Sequence, residues 1–170
     1  MKNLLYFAYG SNINLEQMAE ICPDATPVGP VTLDNYELLF RGGGFATIAP
    51  SQGSQVQGLL WEITPKSERS LDVYEGYPRF YEKQTVSVRD GQGRDLQVMA
   101  YVMTGVRSRI PTLPSKYYYA GIAEGLRQNN MPLEPLERAF QKLMSELQTM
   151  SGMEHTKSPG KKKGRSSHER

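Results

Sequence analysis

Leu4-Leu5-Tyr6-Phe7-Ala8-Tyr9-Gly10-Ser11-Asn12 is the stretch whose reading decides the fold. Its first six residues are apolar or aromatic and predict a buried strand. Gly-Ser-Asn then predicts a turn, and residues 14–21 follow as a short helix ended by Pro23. A strand that breaks in a glycine turn before a helix leaves backbone N–H groups pointing one way. Such a concavity suits a carboxylate or a developing oxyanion. Taken alone, the same residues also fit a plain change of chain direction.

Beyond this stretch, residues 25–40 alternate as a strand, and Arg41-Gly42-Gly43-Gly44 predicts a flexible loop. That loop lacks the Lys-Ser/Thr pair of a phosphate-binding P-loop. Residues 45–49 predict a short strand, 51–54 a turn, and 56–63 a further strand in which Gly58 marks a bulge or a close backbone approach. Thr64 and Pro65 cap and open a helix that Gly76 closes. Strands at 80–89 and 96–103 flank the hairpin signal Asp90-Gly91. Helices are expected at 116–129 and 133–150, the second with Leu136, Phe140, Leu143 and Leu147 on one face. Strands predominate and clean βαβ alternation is absent. The fold class is therefore α+β, with a mixed or antiparallel sheet able to close as a small barrel.

Six of the 20 Lys/Arg and two of the 18 Asp/Glu fall in residues 151–170, a local charge of +4. Residues 1–150 then hold 14 basic and 16 acidic side chains, or −2. The chain reads as one domain over 1–150 with a basic tail over 151–170. The domain lacks the basic composition expected of a nucleic-acid-binding module. Lys161-Lys162-Lys163-Gly164-Arg165 in the tail reads as a solvated, disordered segment rather than a nucleic-acid contact. The only cysteine, Cys22, permits no intrachain disulfide and fits a reducing compartment. Lys2 before an apolar run looks superficially like a secretion signal, but the run is too short and lacks a cleavage site. No apolar segment approaches the roughly 18 residues of a membrane span. A cytoplasmic protein with no membrane contact is expected, its oligomeric state open.

Both histidines, His155 and His168, lie in the tail, so a Ser-His-Asp, Cys-His or His-based metal site is not expected in the domain. Gly10 is the only glycine before Gly29, which excludes a dinucleotide fingerprint after the first strand. An enzyme built on this inventory needs Asp, Glu, Lys or Tyr as its acid–base group. Glu75 is the best placed, at a predicted helix end among Tyr74, Tyr77, Phe80 and Tyr81. Aromatic walls and the negative end of a helix both raise a carboxyl pKa.

The segment 6–12 resembles the N-terminal signature of the γ-glutamylcyclotransferase (AIG2-like) family. Four further resemblances follow in order. Gly44-Phe45-Ala46-Thr47-Ile48 is similar to the family's Gly-x-Ala-Thr-Ile segment, and Val56-Gln57-Gly58-Leu59-Leu60-Trp61 to its Val-x-Gly-x-x-Trp strand. Leu71-Asp72 through Glu75-Gly76, then Tyr81, resembles the segment bearing the family's catalytic glutamate. Pro114-Ser115 with Tyr118, then Asn130-Met131-Pro132, resembles its Pro-Ser-x-x-Tyr helix and Gly-Leu-Pro ending, with Asn130-Met131 in place of Gly-Leu. Together they span roughly residues 4–140.

The resemblance implies a small mixed β-barrel with flanking helices and a pocket at one end. It implies conversion of a γ-glutamyl amine or amino acid, a small-molecule substrate, to 5-oxoproline and the free amine, with neither cofactor nor metal. It assigns proton transfer to Glu75. Substrate contacts fall to Tyr6, Phe7, Ala8, Tyr9, Gly10, Ser11, Asn12 and Tyr118. Asn12 differs from the residue at this place in glutathione-specific relatives, which favours γ-glutamyl amino acids or other γ-glutamyl amines. A non-catalytic binding protein on the same fold is the alternative.

Overall fold

A computed structural model of the chain describes residues 2–157. Five strands, β1 (Leu4–Ala8), β2 (Thr26–Arg41), β3 (Phe45–Ile63), β4 (Tyr81–Arg89) and β5 (Asp95–Met103), close into a barrel. Their order is β1-β3-β2-β4-β5, and β1 returns to pair with β5. That closing pair is parallel and the other pairings are antiparallel, so the sheet is mixed, as expected. Four helices flank it: α1 (Leu15–Ile21), α2 (Pro65–Glu75), α3 (Lys116–Gln128) and α4 (Glu134–Lys157). Helix α4 thus continues seven residues past position 150. The basic run 161–165 and His168 lie outside the described residues.

Two expected strands prove to be one. Residues 51–54 do not reverse the chain; β3 runs through them. Asp34 pairs with Gln55 and Tyr36 with Pro50, so the four residues 51–54 stand opposite the single Asn35. The turn chemistry of Ser-Gln-Gly-Ser is absorbed as a bulge. Asn35 takes a φ of 61°, and its Oδ1 accepts from the Gly53 N–H at 3.0 Å.

Helix α2 begins and ends where its sequence dictates. The Thr64 hydroxyl accepts from the Ser67 N–H at 3.1 Å, Pro65 fills the first helical position, and Gly76 closes the helix in the left-handed region at φ 62°. Leu71, fully buried, pins the helix to the barrel, a burial that contributes about 2 kcal/mol. Asp72 adds a polar anchor. It accepts from the Tyr101 hydroxyl of β5 at 2.6 Å and pairs with Lys83 of β4 at 2.9 Å. Glu75 follows one turn later, so the same contacts fix where the helix delivers it.

Gly58 is a close backbone approach. A Cβ there would sit 2.3 Å from the Phe7 ring and 2.4 Å from the Ala8 carbonyl oxygen. Its absence lets β3 lie tight against β1, with Tyr6 facing Trp61 in register. On α3, Ile122 and Leu126 are buried in the core. Of its three consecutive tyrosines, Tyr117 is 91% exposed. Tyr119 packs against Phe40 and Phe140, and Tyr118 turns toward the end of β1.

Candidate active site

A cavity of about 370 Å³ opens beside the end of β1, within the usual size range of small-molecule sites. Of the nine residues nominated from the sequence, Tyr6, Tyr9, Gly10, Ser11, Asn12, Glu75 and Tyr118 line it. Phe7 and Ala8 do not: both are buried in the core, Phe7 under Gly58 and against Tyr9. Tyr77, expected in the aromatic wall around Glu75, lies outside the cavity, its ring under the Lys83 ammonium at 4.3 Å. Tyr74, Phe80 and Tyr81 do contribute to the wall, joined by Phe45 and Tyr101.

The turn after β1 is a 3-10 segment, Ser11–Ile13, and its first residues lack the preceding carbonyls a longer helix would supply. Among the described residues, the backbone N–H groups of Gly10, Ser11 and Asn12 have no hydrogen-bond acceptor. The turn is held from behind. The Trp61 indole N–H donates to the Asn12 carbonyl at 3.0 Å, and the Asn14 side chain caps α1 through the N–H groups of Glu16 and Gln17. Trp61 is buried at 3% exposure, so this bond is made inside the core, where leaving it unmade would cost about 1–3 kcal/mol.

Asn12 links the turn to the carboxylate. Its Nδ2 donates to the Tyr6 hydroxyl at 3.0 Å and to Glu75 Oε1 at 3.3 Å. Gln17 Nε2 lies 3.1 Å from Asn12 Oδ1, 2.8 Å from Ser11 Oγ and 2.8 Å from the Tyr74 hydroxyl. With two protons it satisfies two of these at a time. Its donation to Oδ1 sets which end of the Asn12 amide faces Glu75. Burial raises the Glu75 carboxyl from its ordinary 4.5 to about 7.

The tyrosines around it are held as neutral hydroxyls. Burial pushes Tyr6, Tyr9, Tyr81, Tyr101 and Tyr118 well above the ordinary range, and the charge of Glu75 adds to the effect in each. Their partners are fixed. The Tyr118 hydroxyl accepts from the Ala46 N–H at 3.0 Å, while the Tyr81 hydroxyl donates to the Ala46 carbonyl at 2.9 Å. Tyr9 donates to the Tyr101 carbonyl. The Phe45-Ala46-Thr47 segment is thereby clasped between two tyrosines, with Thr47 Oγ1 accepting from the Met103 N–H at 3.0 Å.

Sequence reasoning passed over Gln17 and Arg107. Gln17 sits one helical turn after the glycine turn, a spacing that could have flagged it. Arg107 follows β5 in a 3-10 turn, Val106–Arg109, and lines the cavity. Its guanidinium lies 4.4 Å from the centre of the Phe80 ring. Arg41, at the start of the glycine loop, is buried at 9% exposure and paired with Glu146 at 3.2 Å. Among the described residues, no cluster of three His, Cys, Asp or Glu is disposed to hold a metal ion, and no helix is long and apolar enough to cross a membrane.

Fold and site together define a small-barrel enzyme with one enclosed carboxylate beside a donor-rich turn. Residues 6–120 match the family model described as gamma-glutamyl cyclotransferase, AIG2-like. The chain is 33% identical over 144 residues to the gamma-glutamylcyclotransferase of Bos taurus, covering 78% of this chain and 75% of that protein. It is 32% identical over 148 residues to the Homo sapiens gamma-glutamylcyclotransferase, covering 81% and 77%. A solved structure titled gamma-glutamyl cyclotransferase superposes with a TM-score of 0.73 at 32% identity, over 81% of this chain and 86% of that one. The chain belongs to the gamma-glutamyl cyclotransferase, AIG2-like family, and it is an enzyme of that type.

Proposed function

We propose that the protein converts a γ-glutamyl amine or γ-glutamyl amino acid to 5-oxoproline and the free amine, with Glu75 as the acid–base group. The observation that carries the reading is the Asn12–Glu75 contact at 3.3 Å, which joins the donor-rich turn to a carboxyl raised to about 7.

The substrate carries its own nucleophile. Ionised Glu75 takes a proton from the α-ammonium of the glutamyl group. The freed amine attacks the side-chain amide carbonyl, closing a five-membered ring and placing negative charge on the carbonyl oxygen. Glu75 returns its proton to the departing nitrogen, the amide C–N bond breaks, and the oxyanion collapses to the lactam. The lactam nitrogen sheds its remaining extra proton through the again ionised Glu75 to the released amine, so both protons lost by the α-ammonium leave on the product ammonium and no external reactant is required. A carboxyl near 7 suits both transfers, which contribute roughly 10²–10⁴-fold. The N–H groups of Gly10, Ser11 and Asn12 serve the substrate carboxylate or the oxyanion, where losing one donor costs about 3–4 kcal/mol. The neutral hydroxyls of Tyr6 and Tyr118 hold the glutamyl chain bent for attack. Bringing amine and carbonyl together in the attacking geometry contributes up to about 7–11 kcal/mol in ideal cases.

Residues 1–150 form the catalytic unit in this reading, the basic tail lying outside it. A cytoplasmic setting fits the lone cysteine, Cys22, which is buried and unpaired. The decisive assay is 5-oxoproline release from a panel of γ-glutamyl amino acids, glutathione, γ-glutamyl-lysine isopeptide and γ-glutamyl alkylamines. Turnover of at least one, lost in Glu75→Gln, is expected; failure across the panel would refute the reading.

A further inference from the structure

We infer that Arg107 selects the leaving group: it binds the free α-carboxylate of a departing amino acid, so that γ-glutamyl amino acids are preferred to γ-glutamyl amines without that carboxylate. The inference rests on the proposed reaction and narrows its substrate class.

Arg107 is the one cationic side chain lining the cavity, and among the described residues it has no acidic partner within ion-pairing distance. It is nevertheless held in place. One terminal nitrogen donates to the Gly42 carbonyl at 3.1 Å, and the guanidinium carbon lies over the Phe80 ring. One donor is thus spent out of five, leaving a fork suited to a carboxylate.

The triple-glycine loop builds this mount. A Cβ at Gly42 would lie 2.6 Å from the Arg107 Cβ and 2.9 Å from its carbonyl oxygen, and the Gly42 N–H donates to the Ile110 carbonyl at 3.0 Å. Arg41-Gly42-Gly43-Gly44 is thus the seat on which the arginine turn docks.

Position assigns the carboxylate to the leaving group. Tyr6, Ser11 and Asn12 are deeply buried, so the glutamyl half occupies that end. Arg107 lies over Phe80, which is 47% exposed, and the exposed Phe45 and Val73 share the same mouth. The departing half sits there, its carboxylate on Arg107 and an apolar side chain on the rim.

The test compares γ-glutamyl-L-alanine with γ-glutamyl-ethylamine, which differ by that carboxylate. Arg107→Met is expected to lower kcat/KM for the alanine compound about 10- to 100-fold, mostly through KM. The ethylamine compound should change less than about twofold, and Arg107→Lys should recover part of the loss. Equal losses on both compounds, or none on either, would overturn the inference. If Arg107→Met fails to fold, Arg107→Lys carries the same comparison with a smaller selective loss. Absence of 5-oxoproline release from both compounds counts against the catalytic reading only when the rest of the panel fails as well, and binding is then compared in place of turnover. Calorimetric titration of native and Arg107→Met proteins then decides the inference: a binding preference for the alanine compound, abolished by the substitution, sustains it, and equal or absent binding overturns it.

Discussion

The side-chain amide of Asn12 lies 3.3 Å from Glu75 although the two are 63 positions apart. One belongs to the turn after β1 and the other to the last position of α2. Asn12 donates to the carboxyl, Gln17 orients Asn12, and Trp61 holds the Asn12 backbone from the core.

Glu75→Gln preserves shape and the acceptor for Asn12 but cannot move a proton. Release of 5-oxoproline should fall by at least about 10²-fold with an unchanged circular dichroism spectrum. In the native enzyme, kcat/KM should rise with pH through an apparent pKa near 7, because the ionised form is the base. Activity within a few-fold of native in the variant would remove Glu75 from its role.

The same carboxyl makes stability fall with pH. Below about 4.5 it is protonated in both folded and unfolded chains and contributes nothing. Between 4.5 and 7 the unfolded chain releases the proton while the folded one retains it, so folding is progressively disfavoured. Above 7 the cost levels off at about 3 kcal/mol. Urea titrations should find Glu75→Gln more stable than native at pH 8 by up to that amount, with the gap vanishing at pH 4.

Asn12→Ala removes the donor that favours the ionised carboxyl. The acid limb of the pH–rate profile should move upward, since a lost hydrogen bond to the charged form raises the pKa further. A hydrogen bond to a charged group is worth about 1.5–3 kcal/mol, so kcat/KM at pH 7 should drop roughly 10- to 100-fold. A limb that stays in place would show that Asn12 does not tune Glu75.

Gly58→Ala should be among the most damaging small substitutions in the chain. Its methyl carbon has backbone and a packed ring at 2.4 and 2.3 Å. Relief requires β1 and β3 to part, costing about 3 kcal/mol or more. The thermal midpoint should fall by about 6–12 °C on the scale of about 2–4 °C per kcal/mol for a domain of this size.

Trp61→Phe keeps the core volume close to native while removing the indole donor. The Asn12 carbonyl is left unpaired, which should lower stability by about 1–3 kcal/mol in urea titrations. Because Asn12 also meets Glu75, kcat should fall with it; a stability loss without any change in kcat would limit Trp61 to a purely architectural part.

Local chemistry read correctly wherever neighbours in sequence were the cause. The Thr64 cap, Pro65 and the left-handed Gly76 were legible, because each depends on backbone geometry within a few residues, whereas Gly58 could be read only as a bulge or a close approach, its partners Phe7 and Ala8 lying on another strand. The Ser51–Ser54 turn misread for the same reason: a turn sequence opposite a paired strand becomes a bulge, and its partner, Asn35, is supplied from elsewhere. Phe7 and Ala8 were nominated with their neighbours, but both are buried in the core, where Phe7 packs against Tyr9 and both crowd Gly58.

By itself the sequence determined the inventory: an α+β chain without histidine in its domain, one glutamate at a helix end, and a glycine turn after an aromatic strand. Only the tertiary structure decided which of these meet. Barrel closure, through Tyr6 pairing with both Trp61 and Met99, brings the turn, α2 and the arginine turn after β5 to one cavity. No local preference encodes that meeting, because it arises from long-range strand pairing and burial. Those contacts partly bury Glu75, and that burial raises a surface-type carboxyl to a pKa suited to moving protons.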